Sequence, residues 1–177
     1  MVGRMRRSAL IAALLLSACA APQPQAPQPF PNLYQGSGFA VSYPLGWAVR
    51  EDAVFTLGER VLRGTTFVFP AEQTRSALVG AEVFVAREPA CPPQPYAQTI
   101  RRADAVWLRD AWTDADAGNR YDVTLSTAEP GEGCIVVTTL LHSCALGDAC
   151  APGHSAPFDR AAVQSMLDAV GMTARAT

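Results

Sequence analysis

The residues best equipped for chemistry are five cysteines, Cys19, Cys91, Cys134, Cys144 and Cys150. Thiols can be modified, bind a metal or oxidise in pairs. A zinc knuckle brings its cysteines two to four residues apart, and the gap between Cys144 and Cys150 is wider than that. A redox centre needs Cys-x-x-Cys or a lone activated thiol, and neither occurs. Setting Cys19 aside leaves an even number, which suits disulfides in an oxidising compartment. Four cysteines allow three pairings. Cys144 and Cys150 bracket the turn-rich Ala145-Leu146-Gly147-Asp148-Ala149, so Cys144–Cys150 is the favoured short loop and Cys91–Cys134 follows. In the chain-entropy picture the first bridge contributes roughly 2 kcal/mol and the second roughly 4.

Other reactive groups form no recognisable constellation. Asp114, Asp116, Gly118 and Asn119 resemble part of a calcium loop, but an EF-hand needs Gly at position six and Glu at twelve, where this chain has Asn119 and Leu125. A turn between two strands accounts for the segment. There are two histidines, His142 and His154. A serine–histidine–acid triad would need one of them near a serine on a sharp elbow. Gly36-Ser37-Gly38 lacks the Gly-x-Ser-x-Gly frame. Glu51 and Asp52 are adjacent, so a regular strand sends them to opposite faces. There is no Gly-rich phosphate cradle. The expectation is a chain that is not an enzyme, with no catalytic residue, no metal site and no cofactor.

Cys19 belongs to a different pattern. Arg4, Arg6 and Arg7 precede an apolar stretch from Ala9 to Leu16, then Leu16-Ser17-Ala18-Cys19. The apolar core is too short for a span of about 20 residues. A basic start, a short apolar core and small residues before a processing point describe a secretory signal. The run is similar to the lipobox of bacterial lipoproteins. That resemblance implies removal of residues 1–18, palmitate-type acylation of Cys19, and membrane lipid as a partner through the acyl anchor. Ala20, not Asp, follows, which in the Gram-negative sorting pattern points to the periplasmic face of the outer membrane. Residues 19–31 then form a lipidated, Pro/Gln-rich tether. Proline at this density favours extended polyproline II, and twelve such residues reach on the order of 35 Å.

Residues 32–177 are the size of one domain with a real core. The chain has 14 basic and 16 acidic side chains, and no lysine. Without Arg4, Arg6 and Arg7 the mature form has a net charge of about −5. An acidic surface excludes nucleic acid as a partner, because phosphate needs a basic patch.

The elements that must position these groups are mostly strands. Gly38–Pro44, Val61–Phe69, Val79–Ala86 and Val106–Trp112 alternate apolar and polar residues. Tyr121, Val123 and Leu125 mark a return strand. Ile135–Leu141 is apolar on both faces and reads as a central strand. Tyr96–Arg102 reads as a short helical turn. After Asp159 as N-cap, Val163, Met166, Leu167 and Val170 form a helical stripe, with Arg160, Gln164 and Asp168 expected opposite. Phe158 and Val163 sit at the staple positions, and Gly171 is expected to stop the helix. The fold class expected is α+β: a mostly antiparallel sheet with the C-terminal helix packed on it, a two-layer sandwich.

The stretch from Gly38 to Trp47, an aromatic and aliphatic strand running into Pro44-Leu45-Gly46-Trp47, resembles the opening hairpin of PsbP-like domains. The closing helix behind Phe158-Asp159 is similar too. This resemblance implies a binding or assembly factor and carries no catalytic residue. The expected function is a lipid-anchored periplasmic protein with a non-catalytic binding or envelope-assembly role and a protein partner in the envelope. The rivals are a carrier of small apolar ligands and a hydrolase.

Overall fold

Strands make up 62% of the described residues and helix 10%, in two sheets of three and seven strands, so the α+β expectation is corrected to a mostly β, sandwich-like fold. The computed structural model describes residues 30–71, 76–95, 97–102, 105–144 and 156–177. The small sheet has the order β1-β2-β10, from β1 (Asn32–Gly36), β2 (Phe39–Tyr43) and β10 (Arg175–Ala176). The large sheet has the order β3-β4-β5-β9-β8-β7-β6. Its strands are β3 (Ala48–Leu57), β4 (Arg60–Val68), β5 (Leu78–Glu88), β6 (Gln98–Arg101), β7 (Val106–Asp116), β8 (Asn119–Ala128) and β9 (Cys134–Cys144). Every named pairing is antiparallel.

Several local expectations change. β2 and β3 belong to different sheets, so Pro44-Leu45-Gly46 is a crossing between layers and the opening hairpin does not form. Within Tyr96–Arg102, Gln98–Arg101 pairs as β6 with β7 instead of turning helically, and Tyr96 lies outside the described residues. Ile100 opposite buried Trp107 places a β-branched side chain against the core, which favours the strand. The turn expected over Asp114–Gly118 shrinks to Ala117-Gly118, both at positive φ, as a two-residue hairpin turn requires.

One face of the large sheet, the front, is covered by the small sheet and by α1 (Arg160–Gly171). Phe39 and Val41 of β2, Leu167 and Val170 of α1, and Phe67, Val83, Val85, Val137 and Trp107 of the large sheet make the main core. Asp159 caps α1 by accepting from the Ala162 amide at 2.9 Å. Gly171 does not stop the helix as a left-handed cap. It is the last helical residue and is buried, and a Cβ there would lie 2.7 Å from Val137 Cγ1. Its smallness lets α1 approach β9.

Arg160, Gln164 and Asp168 do not face solvent opposite the apolar stripe. At a four-residue spacing they run beside it and reach the sheet. Arg160 pairs with Asp122, Gln164 donates to Thr124 at 3.2 Å and Thr139 at 3.0 Å, and Arg109 donates to Asp168 at 2.5 Å. The helix is therefore moored by an apolar face over β5 and β9 and a polar seam toward β7 and β8. At Asp122, desolvation alone would push the carboxyl up. Hydrogen bonds from Thr113 and Arg120, with the charges of Arg160 and Arg120, outweigh it and hold the group below its ordinary value.

The opposite face, the back, has a second core of Leu62, Phe84, Ala86, Leu125, Cys134 and Val136. Here β4 pairs with β5 only from Gly64 to Val68, so the hairpin end beyond Gly64 is free to bend away. It folds over the back face, where Phe55 stacks on Phe84 with ring centroids 5.5 Å apart. Gly64 permits this close approach, since a Cβ there would lie 2.1 Å from the Val85 carbonyl oxygen. The Cys/Pro loop closes the other side. Cys91 is bonded to Cys134, Gln94 donates to the Leu125 carbonyl at 3.0 Å, and Thr127 donates to Gln94 at 2.8 Å.

Both lateral rims of the large sheet are modified. β3 carries a bulge between Arg50 and Ala53, with Asp52 at φ 53°, so Glu51 and Asp52 do not follow the regular alternation. β6 covers only Val106–Arg109 of β7. Beyond it, the Ala111 amide donates to Asp110 Oδ1 and the Ala115 amide to Asp114 Oδ1, each at 2.8 Å.

Candidate functional site

The roof over the back face stops short of the end where β5 begins and β9 finishes, near Gly80 and His142. The pairings Val68↔Glu82, Glu82↔Leu140 and Gly80↔His142 place Val68, Glu82, Leu140 and His142 on one surface. Arg50 from β3 joins them. Together they line an open cleft of about 430 Å³, within the size range of small-molecule sites.

Its polar groups are unusual for a strand surface. Burial pushes the Glu82 carboxyl up, and the nearby Arg50 charge only partly counters this. No hydrogen bond or ion pair among the described residues engages the Glu82 carboxyl. Burial pushes His142 down from its ordinary value, which keeps the ring neutral at pH 7. Nε2–H of His142 donates to Asn119 Oδ1 at 2.9 Å, leaving Nδ1 as an acceptor. Tyr121 stacks on the ring at 4.4 Å and fixes its plane. The cleft thus presents a guanidinium that only donates, a carboxyl with open acceptor positions and a neutral imidazole. Val68, Val79 and Leu140 supply apolar wall. Among the described residues, no serine, threonine or cysteine lines it.

Of the residues singled out from the sequence, His142 lines this cleft and bonds to Asn119, whereas Asp114 turns its carboxylate to its own strand rim. Glu51 and Asp52 are exposed at the β3 bulge. Ser37 sits in the β1–β2 turn at φ 52°. The Cys91–Cys134 bridge is formed, with Cα atoms 5.1 Å apart. Cys144 is also disulfide-bonded, and Cys150, expected as its partner, lies outside the described residues. So do Cys19, the tether up to Pro29 and His154. Sequence reasoning missed Arg50 and Glu82. A signal existed for Glu82, the one charged residue in the otherwise uncharged run Leu78–Ala86.

A second cleft of about 590 Å³ lies between α1 and the β7–β8 hairpin, near Arg109, Arg120 and Arg160. Each of these arginines is already ion-paired, Arg109 with Asp168 and both Arg120 and Arg160 with Asp122. No protein-family model and no curated protein matches the chain.

Proposed function

We propose that the chain is a lipid-anchored protein of the periplasmic face of the outer membrane, and that its domain binds a partner or ligand without transforming it. The anchor reading rests on the charged and apolar leader before Cys19 and on the proline-rich tether. A disulfide across the back face, Cys91–Cys134, suits an oxidising compartment. The observation that carries the binding role is the cleft at Arg50, Glu82 and His142. It gathers open recognition groups on rigid strands, with no hydroxyl or thiol among its described lining residues.

Two measurements test this. Intact-mass analysis of the protein from native membranes is expected to give a chain beginning at an acylated Cys19. Crosslinking on intact cells is expected to capture a partner or ligand that Glu82→Gln weakens. An unacylated chain that retains residues 1–18 overturns the anchor. Turnover of an ester or amide panel, abolished by His142→Phe, replaces binding with hydrolysis.

A further inference from the structure

The cleft carries both signs of charge without letting them cancel. Arg50 is close enough to bias Glu82, yet no ion pair joins them. Arg50 can only donate hydrogen bonds, whereas the Glu82 carboxylate and His142 Nδ1 accept. A simple anion placed here meets Glu82, and a simple cation meets Arg50. A molecule with one group of each sign satisfies both ends, and Val68, Val79 and Leu140 leave room for an apolar side chain. The volume of about 430 Å³ suits one small molecule.

We propose that the back-face cleft binds a small zwitterion, an α-amino acid or a dipeptide, with its ammonium on Glu82 and His142 and its carboxylate on Arg50. This rests on the cleft being the recognition site of the domain. A bound ammonium supplies the partner that half-buried Glu82 lacks, and neutral His142 accepts from it without repulsion.

The test is calorimetric titration of the full chain in detergent at pH 7. The probes are L-leucine and L-leucylglycine, with N-acetyl-L-leucine lacking the ammonium and L-leucinamide lacking the carboxylate. At least one zwitterion is expected to bind, and comparing the two separates amino acid from dipeptide. Each blocked analogue is expected to bind about tenfold more weakly, the loss that follows when a charged partner is left unpaired. Glu82→Gln is expected to weaken leucinamide and, by removing a like charge, to strengthen N-acetyl-leucine, and Arg50→Met to do the reverse. Unfolding cannot produce opposite effects of one variant on two probes. Absence of zwitterion binding at millimolar concentration, or equal binding of the blocked analogues, overturns the proposal. If the zwitterions fail while Glu82→Gln still weakens the crosslinked product, the ligand class falls and the binding role stands. If Glu82→Gln changes neither, both fall.

Discussion

Gly171 sits where two tendencies compete. Alanine favours a helix over glycine by about 1 kcal/mol. Its Cβ would press on Val137 Cγ1 at 2.7 Å, and overpacking a core costs about 1–3 kcal/mol. Packing wins, so Gly171→Ala is expected to lower stability by about 1 kcal/mol in denaturant unfolding. Glu82 gives a second residue-scale outcome. Burial raises its pKa, so the folded chain keeps the proton at pH values where the unfolded chain has released it. Stability from this group therefore falls as pH climbs above the ordinary 4.5. Glu82→Gln is expected to melt higher than the native chain at pH 7, with the advantage vanishing below that value. His142 has the opposite slope, because burial lowers it. Its contribution is complete above the ordinary 6.5 and declines as pH falls from there toward the folded value. A melting-temperature profile of His142→Gln should lack that decline. Neither shift was legible in the sequence. Both depend on which part of the back face the hairpin leaves uncovered, and that follows from contacts between distant strands.

At the scale of elements, period-two runs made most strands legible. The amphipathic stripe and Asp159 did the same for the helix, because those signals are local. Sheet membership was not local. Phe39–Tyr43 and the strand after Trp47 alternate alike, yet one pairs with β1 and β10 and the other with β4. The helix also carries a second contact face that a single hydrophobic stripe conceals. Its centre is Gln164, which bridges Thr124, Thr139 and Asp168. Gln164→Ala removes these bonds but leaves Thr139 donating to Thr124 at 2.7 Å, so the loss is expected to be about 1–2 kcal/mol. Hydrogen exchange should show α1 opening sooner while the central strands stay protected. Gly64→Ala strikes the bend of the β3–β4 hairpin. Its Cβ would meet backbone, not a movable side chain, and the expected cost is about 3 kcal/mol or more. Faster exchange at Leu62 and Phe84 would identify the lifted hairpin.

For the whole molecule, the Cys91–Cys134 bridge ties the loop before β6 to the central strand across 43 residues. Cysteine number and spacing made that pairing legible before any contact was known. Replacing both cysteines by serine is expected to cost about 4 kcal/mol, read as a lower denaturation midpoint. The fold class was less legible. The clear helix signal drew attention to one layer, whereas Asn32–Gly36 and Arg175–Ala176 join β2 as a second sheet through short, weakly patterned segments.

The Asp110 and Asp114 carboxylates have a consequence for crowding. Two of the main-chain donors that a neighbouring copy would need for strand-by-strand growth are already engaged by the molecule itself. Edge-to-edge addition along this stretch of β7 is thereby made less favourable.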